Sequence, residues 1–193
     1  MLIMKKLVLV FIFGIFALIF CFGFRFTGNS ISVGTVNLTV DTLASINFTI
    51  DSFNWGVGGF SECATYALLI SNGTVESGSW VPVSSGFVIE NNGNVALNFS
   101  LDFGKNACEL IGGTSPEYKF KVSNVESDSC IPAGGFSLDE WSDISSDPIN
   151  ICSNFSSSES DNSIRIDVYL KIPIDTTKIQ LDDTLIASYE EAG

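Results

Sequence analysis

The sequence predicts an all-β protein, an antiparallel two-sheet sandwich of the jelly-roll type with one short helix. Three observations support this prediction. Apolar and polar residues alternate strictly in several segments, Gly, Asn, Asp and Ser separate these segments, and no long stretch has the period of a helix. A period of two with one polar face is typical of antiparallel strands that cover a core on one side. About eight or nine such strands favour a sandwich, and the pattern alone leaves a β-barrel open.

The strands can be placed along the chain from this alternation. It is clearest in residues 95–103 and 164–172, where every second residue is apolar. The segment 104–113, which ends in two glycines, predicts the short helix. Shorter or less regular strands are predicted at 34–40, 45–51, 65–70, 86–90, 118–123 and 184–189.

The N-terminus predicts a signal peptide or an N-terminal membrane anchor helix over residues 1–25. Two lysines precede an uncharged apolar run, 7–24, which is the layout of an export signal. The run is also close to the shortest length that spans a bilayer. Cleavage after Gly23 and an uncut anchor both stay open, and either places residues 26–193 outside the cell as one β-sandwich domain.

The charge of the chain limits its partners. The formal net charge is −13, and it lies almost wholly outside the leader. Such a field repels nucleic acid and anionic lipid. We therefore expect no nucleic-acid partner, and membrane contact only through the N-terminal segment. Self-association, a carbohydrate or another surface protein remain as partners.

The cysteines agree with export. One lies in the leader, and the four others, an even number, suit disulfides in an oxidising compartment. They are Cys63, Cys108, Cys130 and Cys152. Four cysteines allow three pairings, of which Cys130–Cys152 with Cys63–Cys108 is favoured because Cys130 and Cys152 flank one loop-like insertion. The chain has no histidine and no Cys-x-x-Cys, so disulfides are favoured over a zinc site.

That insertion, residues 124–162, departs from the strand spacing. It is acidic and rich in serine, and it is predicted to be a long loop pinned by the Cys130–Cys152 disulfide. Long loops often carry function. The segment is therefore a candidate partner surface, with a merely solvated loop as the alternative.

The residues that could carry chemistry are few. Without histidine, a Ser–His or Cys–His pair is impossible. A cluster of acidic residues in the insertion could serve a glycosidase or hold Ca²⁺, although it lacks the order of an EF-hand. Its members are Asp139, Glu140, Asp143 and Asp147. We expect no enzyme activity and no cofactor, with Ca²⁺ as the one possible ion.

Five Asn-x-Ser/Thr triplets are candidate glycosylation sites. Three fall on the polar faces of predicted strands and two in predicted loops. They are Asn37, Asn47 and Asn98, and Asn72 and Asn154. The three tryptophans, Trp55, Trp80 and Trp141, could form a sugar-binding platform, but scattered tryptophans are more often core residues.

Two motifs resemble the TasA and camelysin family of secreted fibre proteins. One is Gly34-Thr35-Val36-Asn37-Leu38, which soon follows the apolar leader, and the other is an Asn-Gly-Asn hairpin at 92–94 before an alternating strand. The resemblance implies a jelly roll and filament formation, in which the N-terminal segment of one subunit completes the sheet of the next. The chain is also similar to small surface β-sandwich proteins predicted in archaea, through residues 45–58, 104–113 and 162–173.

The segment before the core could act as such an assembly strand. Its apolar residues could enter an open sheet edge of another copy, where a strand gains main-chain hydrogen bonds and side-chain pockets together. They are Ile31, Val33, Val36, Leu38 and Val40. The alternative is that this segment is the first strand of its own sandwich.

The leading expectation for function is therefore a non-catalytic structural protein of a prokaryotic, and most specifically archaeal, cell surface. It would be a filament, matrix or envelope subunit that assembles by β-strand addition. The competing expectation is a membrane-anchored binding module that recognises a carbohydrate or a partner cell surface. Concentration-dependent fibres would favour the first, and a saturable ligand on a monomeric protein the second.

Overall fold

Antiparallel strands dominate the computed structural model, which describes residues 41–145 and 147–193. These strands confirm the all-β prediction, and with them lies one short helix, α1 (Ala107–Leu110). The strands are β1 (Ile46–Ile50), β2 (Tyr66–Ile70), β3 (Val75–Glu76), β4 (Phe87–Asn91), β5 (Leu97–Phe103), β6 (Glu117–Asn124), β7 (Cys130–Pro132), β8 (Ser142–Asp143), β9 (Ile149–Phe155), β10 (Ser163–Pro173) and β11 (Leu185–Glu191).

The larger sheet, sheet A, has seven strands and is built around β10. On one side β10 pairs with β6, which pairs in turn with β8. On the other side the first part of β10 pairs with β4 and the second part with β2. The sheet therefore branches beyond β10, because β4 continues to β1 and β2 continues to β3.

The smaller sheet, sheet B, has four strands in the order β11–β5–β9–β7. β5 shows the alternation most clearly, with four buried residues at its odd positions and half-buried ones between them. Its pairing with β11 is regular over all seven residues of β11. Its pairing with β9 shifts register twice.

The two sheets pack against each other around one core. The ring of Phe103 in sheet B lies 5.1 Å from that of Phe120 in sheet A, measured between centroids. Phe99 and Phe155, neighbours in sheet B, are fully buried in the same core. The chain is thus a β-sandwich whose inner faces are the apolar halves of the alternating strands.

The predicted Asn-Gly-Asn hairpin at 92–94 is wrong, because β4 and β5 belong to different sheets. The turn instead crosses from sheet A to sheet B. The buried amide of Asn91 donates to the carbonyl of Phe155 in sheet B at 2.9 Å. The side chain of Asn94 accepts from the backbone N–H of Leu43, and its amide donates to the carbonyl of Asp41. The turn therefore holds the chain that leads into β1 instead of closing a hairpin.

Helix α1 begins with a capping box. The side chain of Asn106 accepts from the backbone N–H of Glu109, and the carboxylate of Glu109 accepts from the N–H of Asn106. After the helix, Gly112 and Gly113 adopt φ angles of 68° and 79°. A left-handed conformation of this kind favours glycine at the end of a helix. The predicted end of the helix at these glycines is confirmed.

The loop predicted at 124–162 is also wrong, since this segment contains β7, β8 and β9. β9 lies between β5 and β7 in sheet B, with Ile151 and Cys152 both buried. Two adjacent buried residues break the period of two at a register shift of the β5–β9 pairing. The strand consequently lacks the alternation by which the others are predicted.

The described residues fall in one compact unit. Among them, no helix has the length and apolarity that a membrane span requires. The leader predicted at 1–25 and the strand predicted at 34–40 lie outside the described residues, as do the first 15 residues of the domain predicted at 26–193.

Candidate binding surfaces

The open edges of the two sheets differ in how well they are protected against further pairing. β3 and β8 have two residues each, β7 has three and contains Pro132, and β1 has a register shift between Phe48 and Ile50. Short strands, prolines and bulges are the usual protection of sheet edges. Among the described strands, β11 is the edge strand without any of these features, since it has seven residues, no proline and a continuous register with β5.

The groups that β11 presents at its open edge follow from its hydrogen bonds with the β5 side. The N–H of Gly104 donates to the carbonyl of Thr184 at 3.1 Å, and the N–H of Ala192 donates to that of Ala96 at 2.9 Å. Because antiparallel pairs alternate, the even-numbered residues of β11 bond to β5. The odd-numbered residues direct their N–H and C=O groups away from β5. They are Leu185, Ala187, Tyr189 and Glu191.

The outer face of sheet A carries lysines that lie over aromatic rings. The ammonium of Lys119 lies 5.8 Å from the ring centroid of Tyr169, that of Lys121 lies 5.2 Å from Trp141, and that of Lys171 lies 5.3 Å from Tyr66. Each of these cation–π contacts covers one face of its ring. Trp141 thus lies on this outer face, away from the other two tryptophans.

The same face is neutralised by its own carboxylates. Glu117 contacts Lys171 at 2.8 Å and Lys119 at 3.0 Å. These two ammonium groups, Lys171 first, hold the pKa of Glu117 below its ordinary value. Glu117 in turn raises the pKa of both lysines. The face therefore offers little unpaired positive charge to a partner.

A buried carboxylate joins the two branches of sheet A. Oδ1 of Asp167 accepts from the Arg165 guanidinium at 2.7 Å and from Oγ of Ser71 at 2.8 Å. The same Ser71 hydroxyl accepts from the backbone N–H of Val168. Arg165 also donates to the carbonyls of Ser71 and Ser84. The network spans the point where β10 changes partner from β4 to β2, so its role is structural.

The outer face of sheet B has a different composition. Its strands contain no lysine or arginine, and its side-chain hydrogen bonds join neutral groups or run to exposed carboxylates. Oγ of Ser100 donates to Asn150 at 2.8 Å, and Asn98 donates to Glu190 at 3.4 Å. A shallow polar groove of about 510 Å³ runs along these residues.

A larger cleft lies beside the inner face of sheet A, between the loops 53–60 and 176–183. Its volume is about 730 Å³. Leu69 of β2 and Leu170 of β10, both buried, belong to its wall. Trp55 and Trp80 also line it, which confirms that these two tryptophans pack against the core.

The cysteines confirm half of the predicted pairing. Cys130 and Cys152 form a disulfide that joins β7 to β9, and it indicates an oxidising compartment. The predicted Cys63–Cys108 disulfide is wrong for this structure, in which both thiols are free and exposed. Cys63 lies in the turn before β2 with a φ of 62°, whereas Cys108 lies in α1. The sequence offered no signal for the separation of these two elements.

The glycosylation triplets lie in different environments. Asn47 on β1 and Asn72 in the β2–β3 turn are exposed. Asn98 is half-buried on β5, as predicted for a strand, but Asn154 lies on β9 instead of in a loop. Asn37 lies outside the described residues.

The acidic residues of the insertion do not form a metal centre in the described part of the chain. No three His, Cys, Asp or Glu side chains there are close enough to hold one ion. Asp143 instead pairs with Lys119 across the β6–β8 ladder at 3.5 Å. Asp139, Glu140 and Asp147 are exposed.

The surfaces that sequence reasoning missed are the β11 edge and the cleft. β11 was predicted as a strand, but its place at the end of sheet B depends on pairings that are distant in the chain. The predicted assembly residues Ile31, Val33, Val36, Leu38 and Val40 lie outside the described residues, so their role stays a prediction.

Comparisons of the chain with known family models, with curated proteins and with solved structures found no match.

Proposed function

We propose that this protein is a non-catalytic structural subunit of a cell surface that assembles by β-strand addition, with β11 as the acceptor edge. The observation that carries the proposal is the contrast among the edges. Four edges are short, bulged or interrupted by proline, and β11 presents an unbroken row of main-chain groups. Natural sheets protect edges that have no partner by short strands, bulges, proline or charge. Of these devices β11 has only charge, at Glu190 and Glu191, so its continuous edge is an argument for a partner.

The charge around β11 favours the segment before Asp41 as the donor. Glu190 and Glu191 end the strand, and Asp182 and Asp183 precede it. Two β11 edges brought together would place like charges side by side, which is unfavourable. Residues 26–40 contain no acidic residue and carry the predicted apolar alternation. This segment of a second copy can therefore approach the edge without repulsion.

The disulfide supports the extracellular part of the proposal, because it requires an oxidising compartment. The same proposal includes a jelly-roll arrangement of the strands and glycans on the Asn-x-Ser/Thr triplets. It holds whether the leader is cleaved or stays as a membrane anchor. A filament or envelope subunit also needs no catalytic centre, which agrees with a chain that contains no histidine.

Paired variants of the full chain test the proposal. Tyr189→Pro removes an outward N–H and should block the acceptor, while Tyr189→Val removes the same ring and keeps the N–H. Leu38→Asp should block the donor, while Thr39→Asn changes the opposite face of that strand and adds no charge. Electron microscopy and sedimentation should show assemblies for the two controls and monomers for the two blocked variants.

A mixture of the two blocked variants gives the sharpest result. Tyr189→Pro keeps an intact donor and Leu38→Asp keeps an intact acceptor, so the mixture should form a discrete dimer and no fibres. Monomers in the mixture, or assembly of Tyr189→Pro alone, would contradict the proposal. Glu191→Pro, at the end of the strand, provides a second acceptor variant if Tyr189→Pro does not fold.

A further inference from the structure

The cleft between residues 53–60 and 176–183 has the size and lining of a small-molecule site. Its volume of about 730 Å³ lies within the usual range for ligand pockets. It arises where loops, instead of strands of sheet B, cover the inner face of β2 and the end of β10. Core side chains such as Leu69 and Leu170 therefore form its wall.

Glycines fix one aromatic wall of this cleft. A Cβ at Gly58 or at Gly78 would collide with the ring of Trp80. The ring thus packs directly against two residues that have no side chain, and it packs edge-on against Phe60 at 5.6 Å between centroids. The wall is therefore already formed in the structure as it stands.

The mouth of the cleft carries aliphatic side chains that nothing in the described chain covers. Val57 is 97% exposed and Ile179 is 103% exposed, one on each loop. Singly exposed aliphatic residues are common on protein surfaces. These two, however, line the same cleft as the core residues of its wall, and contiguous apolar surface often marks a binding site. In addition, the indole N–H of Trp55 is buried and, within the described residues, has no acceptor.

Charge narrows the class of ligand. Asp182, Asp183 and Lys178 belong to the lining, where Asp183 accepts from the Tyr118 hydroxyl at 3.1 Å and Asp182 pairs with Lys105. The charges at the cleft therefore nearly balance, and the preference against anions comes from the net charge of the chain. The chain as a whole carries a charge of −13, so an anion approaches against a repulsive field. A neutral or positively charged head group meets no such repulsion.

We propose that this cleft binds a small neutral or cationic amphiphile, with its apolar part between Val57, Ile179 and Trp80. The proposal does not rest on assembly through β11, because the cleft lies on the inner side of sheet A and the acceptor groups lie on the edge of sheet B. Asp182 and Asp183, however, belong to the cleft lining and precede β11, so the two surfaces adjoin there. Binding would add a ligand-responsive site to a structural subunit.

Tryptophan fluorescence of the full chain tests the proposal, because residues 1–40 contain no tryptophan. Trp141→Phe removes the reporter outside the cleft and leaves Trp55 and Trp80. Titration with dodecyltrimethylammonium or dodecyl maltoside, below micelle formation, should give a saturable change in the fluorescence of Trp55 and Trp80. Dodecyl sulfate should bind at least about tenfold more weakly.

Variants at the mouth distinguish the cleft from other apolar surface. Val57→Asp and Ile179→Asp should each weaken binding of the neutral probe about tenfold. Val125→Asp and Ile131→Asp alter aliphatic residues that are 52% and 54% exposed elsewhere, and they should leave binding unchanged. The proposal would be overturned if both pairs of variants lost affinity equally or if the fluorescence change did not saturate. It would also be overturned if dodecyl sulfate bound as tightly as the neutral and cationic probes.

Discussion

The strands of sheet A and the strands of sheet B are joined to their neighbours by different side-chain interactions. Sheet A is joined by charged side chains on its outer face, where the buried Asp167 contacts Arg165 and Ser71. Sheet B has no lysine or arginine in its strands, and a covalent bond between Cys130 and Cys152 joins two of them. On the outer face of sheet A, most charged side chains are therefore already paired with charged neighbours of the same sheet. The sheet without basic residues is the one whose described edge strand, β11, runs in continuous register over seven residues.

The largest effect should come from breaking the covalent bond of sheet B. Replacing Cys130 and Cys152 together by serine should lower the free energy of unfolding by about 3 kcal/mol, since the bond closes a loop between residues 22 positions apart. Denaturant unfolding measures this loss. The matched control replaces Cys63 and Cys108 by serine and should change stability by less than about 0.5 kcal/mol. Equal losses of unfolding free energy in the two double variants would refute the assignment of the disulfide to Cys130 and Cys152.

The next effect should come from the buried carboxylate of sheet A. Asp167→Ala should cost about 2 kcal/mol, because Arg165 and the Ser71 hydroxyl lose a partner in a water-poor site. Asp143→Ala on the same face removes a carboxylate whose side chain is 85% exposed, and it should cost less than about 0.5 kcal/mol. Thermal unfolding of both variants measures the two costs. A similar decrease in the unfolding midpoint for the two variants would mean that the Asp167 network does not stabilise the fold.

A smaller, pH-dependent effect is expected at Glu117. Lys171 and Lys119 keep its pKa below the ordinary 4.5 in the folded protein. A lowered folded-state pKa stabilises the protein above the unfolded-state value, and this stabilisation is lost as pH falls through the folded-state value. Glu117→Gln should therefore cost about 0.5 kcal/mol near neutral pH and nothing in more acidic solution. A difference that persists unchanged at low pH would show a cause other than charge.

The smallest effect should come from the outer face of sheet B. Ser100→Ala removes an exposed hydrogen bond to Asn150, which water can replace, so stability should change by at most about 0.5 kcal/mol. The same substitution at the buried Ser71 should cost about 1–2 kcal/mol, because Asp167 and the N–H of Val168 both lose a partner. Urea unfolding of the two alanine variants measures the contrast, and equal costs would remove the distinction between the two faces.

Local pattern and local chemistry account for what could be predicted. Strand β5 follows from the alternation of Leu97 to Phe103, since one wet face and one dry face need only the residues of the strand itself. The capping box of Asn106 and Glu109 is likewise local. β9 could not be found in this way, because the adjacent burial of Ile151 and Cys152 depends on a register shift against β5.

Composition and periodicity predicted the all-β class, the places of most strands and the short helix with its glycine end, and they favoured the Cys130–Cys152 bond among three possible pairings. The crossing of residues 91–94 between sheets, the separation of Cys63 from Cys108, the burial of Asp167 and the place of β11 at the end of the described strands of sheet B became visible only in the folded protein. The physical reason is that periodicity and capping act over a few neighbouring residues. Burial, edge position and cleft shape arise from partners that lie tens of residues away along the chain.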